Sequence, residues 1–184
     1  MKAMRKAWII GLMAMMAIAG FGCKDDLKDP DKEPKYTGPT VENHDVITLY
    51  SDSAKLLVKL QAPVQQEFET GDGVFPEGLY VEFFEQGVQG EQVTSTLKAN
   101  YGKQDRNQNL FEVRGNVIVD NLKKQEKLET EELYWDRRKA RIYTDKMVKI
   151  TSPEEVVIGQ GLEADQGFTN YRIRKVTGQF NLKE

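Results

Sequence analysis

The chain has 184 residues, with 26 Lys plus Arg against 29 Asp plus Glu and a formal net charge of −3. An acidic chain has no general attraction to nucleic acid or to anionic lipid surfaces, which sets nucleic-acid functions aside. One cysteine forms no internal disulfide, and one cysteine with one histidine makes no zinc set, no Cys-His pair and no Ser-His-Asp triad.

At the N-terminus Lys2, Arg5 and Lys6 precede an uncharged run from Ala7 to Phe21. The run has the length of a signal-peptide core and falls short of the ~20 apolar residues that span a bilayer. Gly20-Phe21-Gly22-Cys23 places small residues before the single cysteine, at an apolar-to-polar boundary, and resembles a bacterial lipobox, although Gly20 and Phe21 depart from its usual pattern. The expectation is a signal peptide over 1–22 and a lipid on Cys23, which holds the protein to a membrane. The competing reading is an uncleaved anchor helix with an incidental thiol.

Residues 24–40 (KDDLKDPDKEPKYTGPT) are charged and Pro-rich with Leu27 as their one aliphatic residue, so they cannot bury enough apolar area to order themselves. They are read as a tether that extends at most ~55 to 60 Å. The expected division is a lipidated tether over 23–44 and one folded domain over 45–184, with His44 as a solvated side chain at the junction.

From there the chain alternates with period two. Leu56, Val58 and Leu60 share a face, as do Leu79, Val81 and Phe83 against Tyr80 and Glu82. In 110–120 (LFEVRGNVIVD) Phe111, Val113, Val117 and Val119 fall on one face around Gly115, and Ile142, Val148 and Ile150 oppose Arg141, Asp145 and Lys149. Turn residues separate the runs at 70–73, 86–87, 105–107, 151–153 and 165–167, which predicts an all-β sandwich, jelly roll or open barrel. The stretch 123–138 is rich in Glu and Lys but is read as strand, because Leu128, Thr130 and 133–135 (LYW) keep the alternation. Leu97-Lys98-Ala99, Leu128-Glu129-Thr130 and Leu162-Glu163-Ala164 recur about thirty residues apart, each before a second strand. Stacked two-strand units would leave open edges at both ends, and an open edge is a docking surface.

Glu129, Glu131 and Glu132 beside Asp136 could in principle form a glycosidase pair, but acids on an exposed strand face read as solvated surface. No GxSxG or Walker loop is present, and Asp72 reads as a turn residue, not a metal ligand. The sequence predicts no enzyme, no cofactor and no metal.

The order of 53–56 (SAKL), 75–81 (FPEGLYV), 97–101 (LKANY), 113–117 (VRGNV), 128–133 (LETEEL) and 158–164 (IGQGLEA) resembles the LptC family of lipopolysaccharide-export proteins, in the OstA-like jelly-roll group. The resemblance implies an open antiparallel β-jelly roll, preceded here by the cleaved signal peptide and tether. It implies that acyl chains lie between its sheets, received from an inner-membrane ABC extractor and passed to a periplasmic jelly-roll partner by edge-strand pairing. The inward set Phe83, Phe111, Val113, Val117, Val119, Ile142, Val148 and Ile150 is then the expected lipid groove, against the plainer expectation of a closed core. Gly115 and Gly161 are expected at bulges or close approaches. Ser53-Ala54 replaces a glycine common in the family's first strand region, and the lipid anchor on the periplasmic side of the inner membrane replaces its usual membrane helix. The alternative is an outer-membrane or surface lipoprotein with a structural or glycan-binding domain, suggested by Lys24-Asp25-Asp26.

Overall fold

The computed structural model describes residues 35–87 and 90–181. The expected signal peptide, Cys23 and the first part of the tether lie outside the described residues. The β domain is the compact unit Thr37–Glu184, and its described residues contain strands and no helix.

Eleven strands follow in order: β1 Val41–Asp52, β2 Lys55–Glu67, β3 Gly73–Phe75, β4 Leu79–Gly87, β5 Gly90–Ala99, β6 Tyr101–Asp105, β7 Leu110–Asn121, β8 Glu126–Asp136, β9 Arg141–Thr151, β10 Glu155–Asp165 and β11 Tyr171–Asn181. Every neighbouring pair is antiparallel. Period-two burial drives this. Val58, Leu60, Ala62 and Val64 of β2 are buried alternately, and so are Phe111, Val113, Val117 and Val119 of β7. The stretch rich in Glu and Lys folds as β8, because Leu128, Thr130 and Leu133 are buried there on one face.

The sheet is a meander with two folded strands. Here β3 and β4 are halves of one strand broken at 76–78, and β5 and β6 are halves of another broken at Asn100. The halves keep common neighbours, β2 on one side and β7 on the other. Gly78 makes the first break possible: its φ is +90°, and a Cβ there would lie 2.5 Å from the Ala99 carbonyl oxygen. On β7 the matching irregularity is the bulge at Gly115 and Asn116, with φ of +72° and +50°, where the Asn100 amide donates to the Gly115 carbonyl at 2.9 Å. Folding along this line brings the strands before and after it face to face. Across the gap Tyr50 meets Phe111 edge-on, and Phe83 meets both Trp135 and Phe168. Ser95 Oγ and Asn121 Nδ2 donate to the Gly167 and Phe168 carbonyls and tie the β10–β11 turn over the interior.

Three expectations need correction. The first strand begins at Val41, four residues before the expected boundary of the folded domain, and Val41–His44 pair with Val64–Glu67 of β2. Ser53 and Ala54 lead into the second strand, not the first: with φ of +49° and +62° they form the tight turn between Asp52 and Lys55. The repeat is spatial in two copies only. Leu97 opposes Val119 and Leu128 opposes Ile150 on the long strand that follows each, whereas Leu162 opposes Ile173, much nearer in the chain.

Strand β1 pairs only with β2, and β11 only with β10, so the described sheet has two free edges. On the outward face Ile47 and Leu49 of β1, and Phe180 of β11, are more than half exposed.

Candidate functional site

The eight inward residues are all buried, and all but Phe111 fall in one continuous core cluster. They do not share one environment. Phe83, Phe111, Val113 and Ile142 line a cavity of about 40 Å³, together with Tyr50, Leu60, Leu79, Val81, Leu97, Leu133 and Trp135. Val117, Val119, Val148 and Ile150 do not reach it. They pack where the interior is filled, and the void beside them, walled by Val119, Leu128, Ile150, Phe168 and Tyr171, measures about 20 Å³.

A 40 Å³ space is little more than one water's ~30 Å³ share of the liquid. An alkyl chain therefore enters only if the two faces separate. Nothing covalent crosses between them except the folded strands, and the contact there is ring against ring, which can be re-formed against a ligand. The surface that faces the cavity is almost wholly apolar, including what Tyr50, Tyr134 and Trp135 contribute to it. Burial holds the Tyr50 hydroxyl above its usual range, against the pull of the Arg137 and Arg106 guanidinium groups.

The sequence missed Tyr50 and Trp135. Trp135 stacks on Phe111 with centroids 5.3 Å apart, and Phe111 pairs with it across β7 and β8. The signal was present in the apolar 133–135 that close β8. Gly115 and Gly161 both sit at bulges with positive φ; a Cβ at Gly161 would lie 2.5 Å from Nε of Arg174.

Glu129, Glu132 and Asp136 are held in surface ion pairs. Glu129 meets Lys127 at 3.5 Å and Lys149 at 3.3 Å, and Glu132 meets Arg114 at 3.5 Å. Desolvation pushes the Asp136 carboxyl up, but hydrogen bonds from Lys139 outweigh it and hold the group below its usual range. Such an acid keeps no proton to donate to a leaving group at neutral pH. His44 lies exposed on β1, 3.3 Å from Glu42, and Asp72 accepts the Arg106 amide at 3.2 Å.

The family model for lipopolysaccharide-assembly, LptC-related proteins matches residues 9–175. The chain belongs to that family. Comparison with curated proteins finds no significant match. LptC-related membership fits the observed all-β roll, a jelly roll, and places the chain in lipopolysaccharide transport in the periplasmic part of the envelope, as a transport component among the export partners.

Proposed function

We propose that the protein carries lipopolysaccharide from the inner toward the outer membrane without chemistry, with the acyl chains held between the two faces of the roll. It receives them from an inner-membrane ABC extractor and passes them to a periplasmic jelly-roll partner by pairing at a free edge. The observation that carries this reading is the apolar cavity between Tyr50, Phe83, Phe111, Trp135 and Ile142, a site with the chemistry of an alkyl ligand and none of the polar groups a glycan needs. Acyl chains gain ~0.8 kcal/mol per buried CH₂ and need no hydrogen bonds. The free edges β1 and β11 suit strand addition at both ends.

A photo-crosslinking residue at Phe111 or Ile142 will capture lipopolysaccharide in cells, and one at the exposed Arg114 will not. Labelling from Arg114 alone would sink the proposal. Cys23 is proposed as the lipid anchor on the periplasmic side of the inner membrane. Metabolic labelling with a palmitate analogue will mark the chain, and Cys23→Ala will abolish the mark. A labelled Cys23→Ala chain would reject the anchor.

A further inference from the structure

Three groups around the cavity do more than packing requires. The indole Nε1 of Trp135 is buried without a hydrogen-bond partner, on a ring that lines the cavity. Buried donors without acceptors are rare in native proteins, and each calls for an explanation. Arg137, the first residue after β8, lies over the rings of Tyr50 and Trp135, 5.1 and 5.7 Å from their centroids. Arg106, the first residue after β6, runs its side chain past Gly71, where a Cβ would stand 3.3 Å from Arg106 Cδ.

These two arginines stand on adjacent turns that are fixed together. The Arg137 amide donates to the Asn109 carbonyl at 3.1 Å, and Arg138 Nη2 donates to the Asn107 carbonyl. Both guanidinium groups lie within electrostatic reach of the Tyr50 hydroxyl and oppose the upward push of its burial, in keeping with the hydrogen-bonded pairing of their two turns. Arg114, Arg141 and Arg174 each have a carboxylate partner. Arg106 and Arg137 have none among the described residues. From outside inward the molecule thus presents two exposed forked cations without a carboxylate on the guanidinium among the described residues, although Asp72 accepts the Arg106 amide, then a buried indole N–H without an acceptor, then apolar side chains.

We infer that Arg106 and Arg137 bind a phosphate on the sugar end of the acylated glycolipid, while the Trp135 N–H donates to the carbonyl that joins an acyl chain to that sugar. The inference rests on the lipid-carrier reading and deepens it, since it fixes which way the lipid lies. An acylated phosphosugar carries anion, carbonyl and alkyl chain in that order, the order of the three layers. A guanidinium fork matches phosphate oxygens in two parallel hydrogen bonds, and stacking on Tyr50 and Trp135 holds the Arg137 plane ready for them. The carbonyl accepts from Nε1 as the faces part, so opening the roll supplies the hydrogen bond that the closed state lacks.

The test uses the detergent-solubilised full chain with two probes: a lipopolysaccharide with its lipid phosphates intact, and the same preparation after phosphatase treatment. The wild-type chain will retain the phosphorylated lipid about tenfold more tightly. The pair Arg106→Gln with Arg137→Gln will bind both lipids equally, at the level of the wild type with the dephosphorylated one, and Arg137→Lys will keep part of the preference. Trp135→Phe will weaken both lipids alike and leave the preference intact. A wild type without preference, or a Gln pair that keeps it, overturns the proposal while leaving the carrier reading in place. Displacement of the lipid by millimolar inorganic phosphate would also overturn it, by making this a free-phosphate site. Failure of both lipids to bind the wild type would remove the carrier reading and this inference together.

Discussion

Around Val148 and around Trp135 the same folded sheet is filled in opposite ways. Val117, Thr130 and Val148 form a row across β7, β8 and β9, with Val117 and Val148 each 1% exposed, and Leu162 on β10, opposite Thr144 of β9, is fully buried. Aliphatic side chains interdigitate there as in any well-made core. Around Trp135 the lining is aromatic, with Tyr50, Phe83, Phe111 and the indole meeting edge-on or stacked, and a void persists. Flat rings that meet across a fold line leave gaps that branched aliphatics do not. The difference suits a division of labour in which the first region carries stability and the second, on the proposed carrier reading, admits the ligand.

The largest effect that tests this division is Leu162→Ala. Truncating a fully buried leucine in a filled core costs about 2–5 kcal/mol, because the site cannot collapse around the lost atoms. In a domain of this size that lowers the melting temperature by about 5–15 °C. Calorimetry measures it, and crosslinking at Ile142 below the new melting point should still capture lipid. Capture lost in a folded variant would mean that the filled region also serves the ligand.

A paired substitution sharpens the contrast. Val148→Ile adds one methylene where no space exists and should destabilise the fold by about 1–3 kcal/mol. Val81→Ile adds the same methylene beside the 40 Å³ cavity and should stabilise it by up to about 0.8 kcal/mol. Urea midpoints at unchanged slope give both values. The Val81 variant should also take up lipid more slowly, because the ligand must displace a better-filled interior. Equal destabilisation by the two would erase the distinction between the regions.

Alternation made the strands legible. On β7 the inward residues could be named one by one, with Gly115 as the irregularity, because each side chain has one face to choose. Strand β1 was missed in part because its first half (VENHD) is exposed throughout and shows no apolar alternation, and because its turn uses Ser53 and Ala54 where positive φ normally calls for glycine or asparagine. The division of the inward residues into two regions was not legible at all. Which of them leave a gap depends on how the two faces meet across the fold line at Gly78 and Asn100, and no local pattern encodes that meeting. The arginines at the cavity were visible only by position, Arg106 in the predicted turn at 105–107 and Arg137 two residues after Trp135.

The smallest expected effect compares two tyrosines, one in each region. Burial, with the Glu126 carboxylate next, pushes the Tyr171 hydroxyl up to about 12, while an exposed tyrosine titrates near 10. Between those values the folded chain holds a proton that the unfolded chain has released. The contribution of Tyr171 is therefore intact below about pH 10 and is lost as pH rises through about 12. Tyr50 is also raised by burial, but Arg137 and Arg106 stabilise its phenolate and oppose the shift. Stability measured by urea between pH 9 and 12 should thus fall with pH, and Tyr171→Phe should flatten that fall more than Tyr50→Phe. With Arg106 and Arg137 both changed to Gln, Tyr50 loses the opposing charges, and the Tyr50→Phe effect should grow toward that of Tyr171→Phe. An unchanged Tyr50 response in that background would show that the two guanidinium groups do not converge on its hydroxyl.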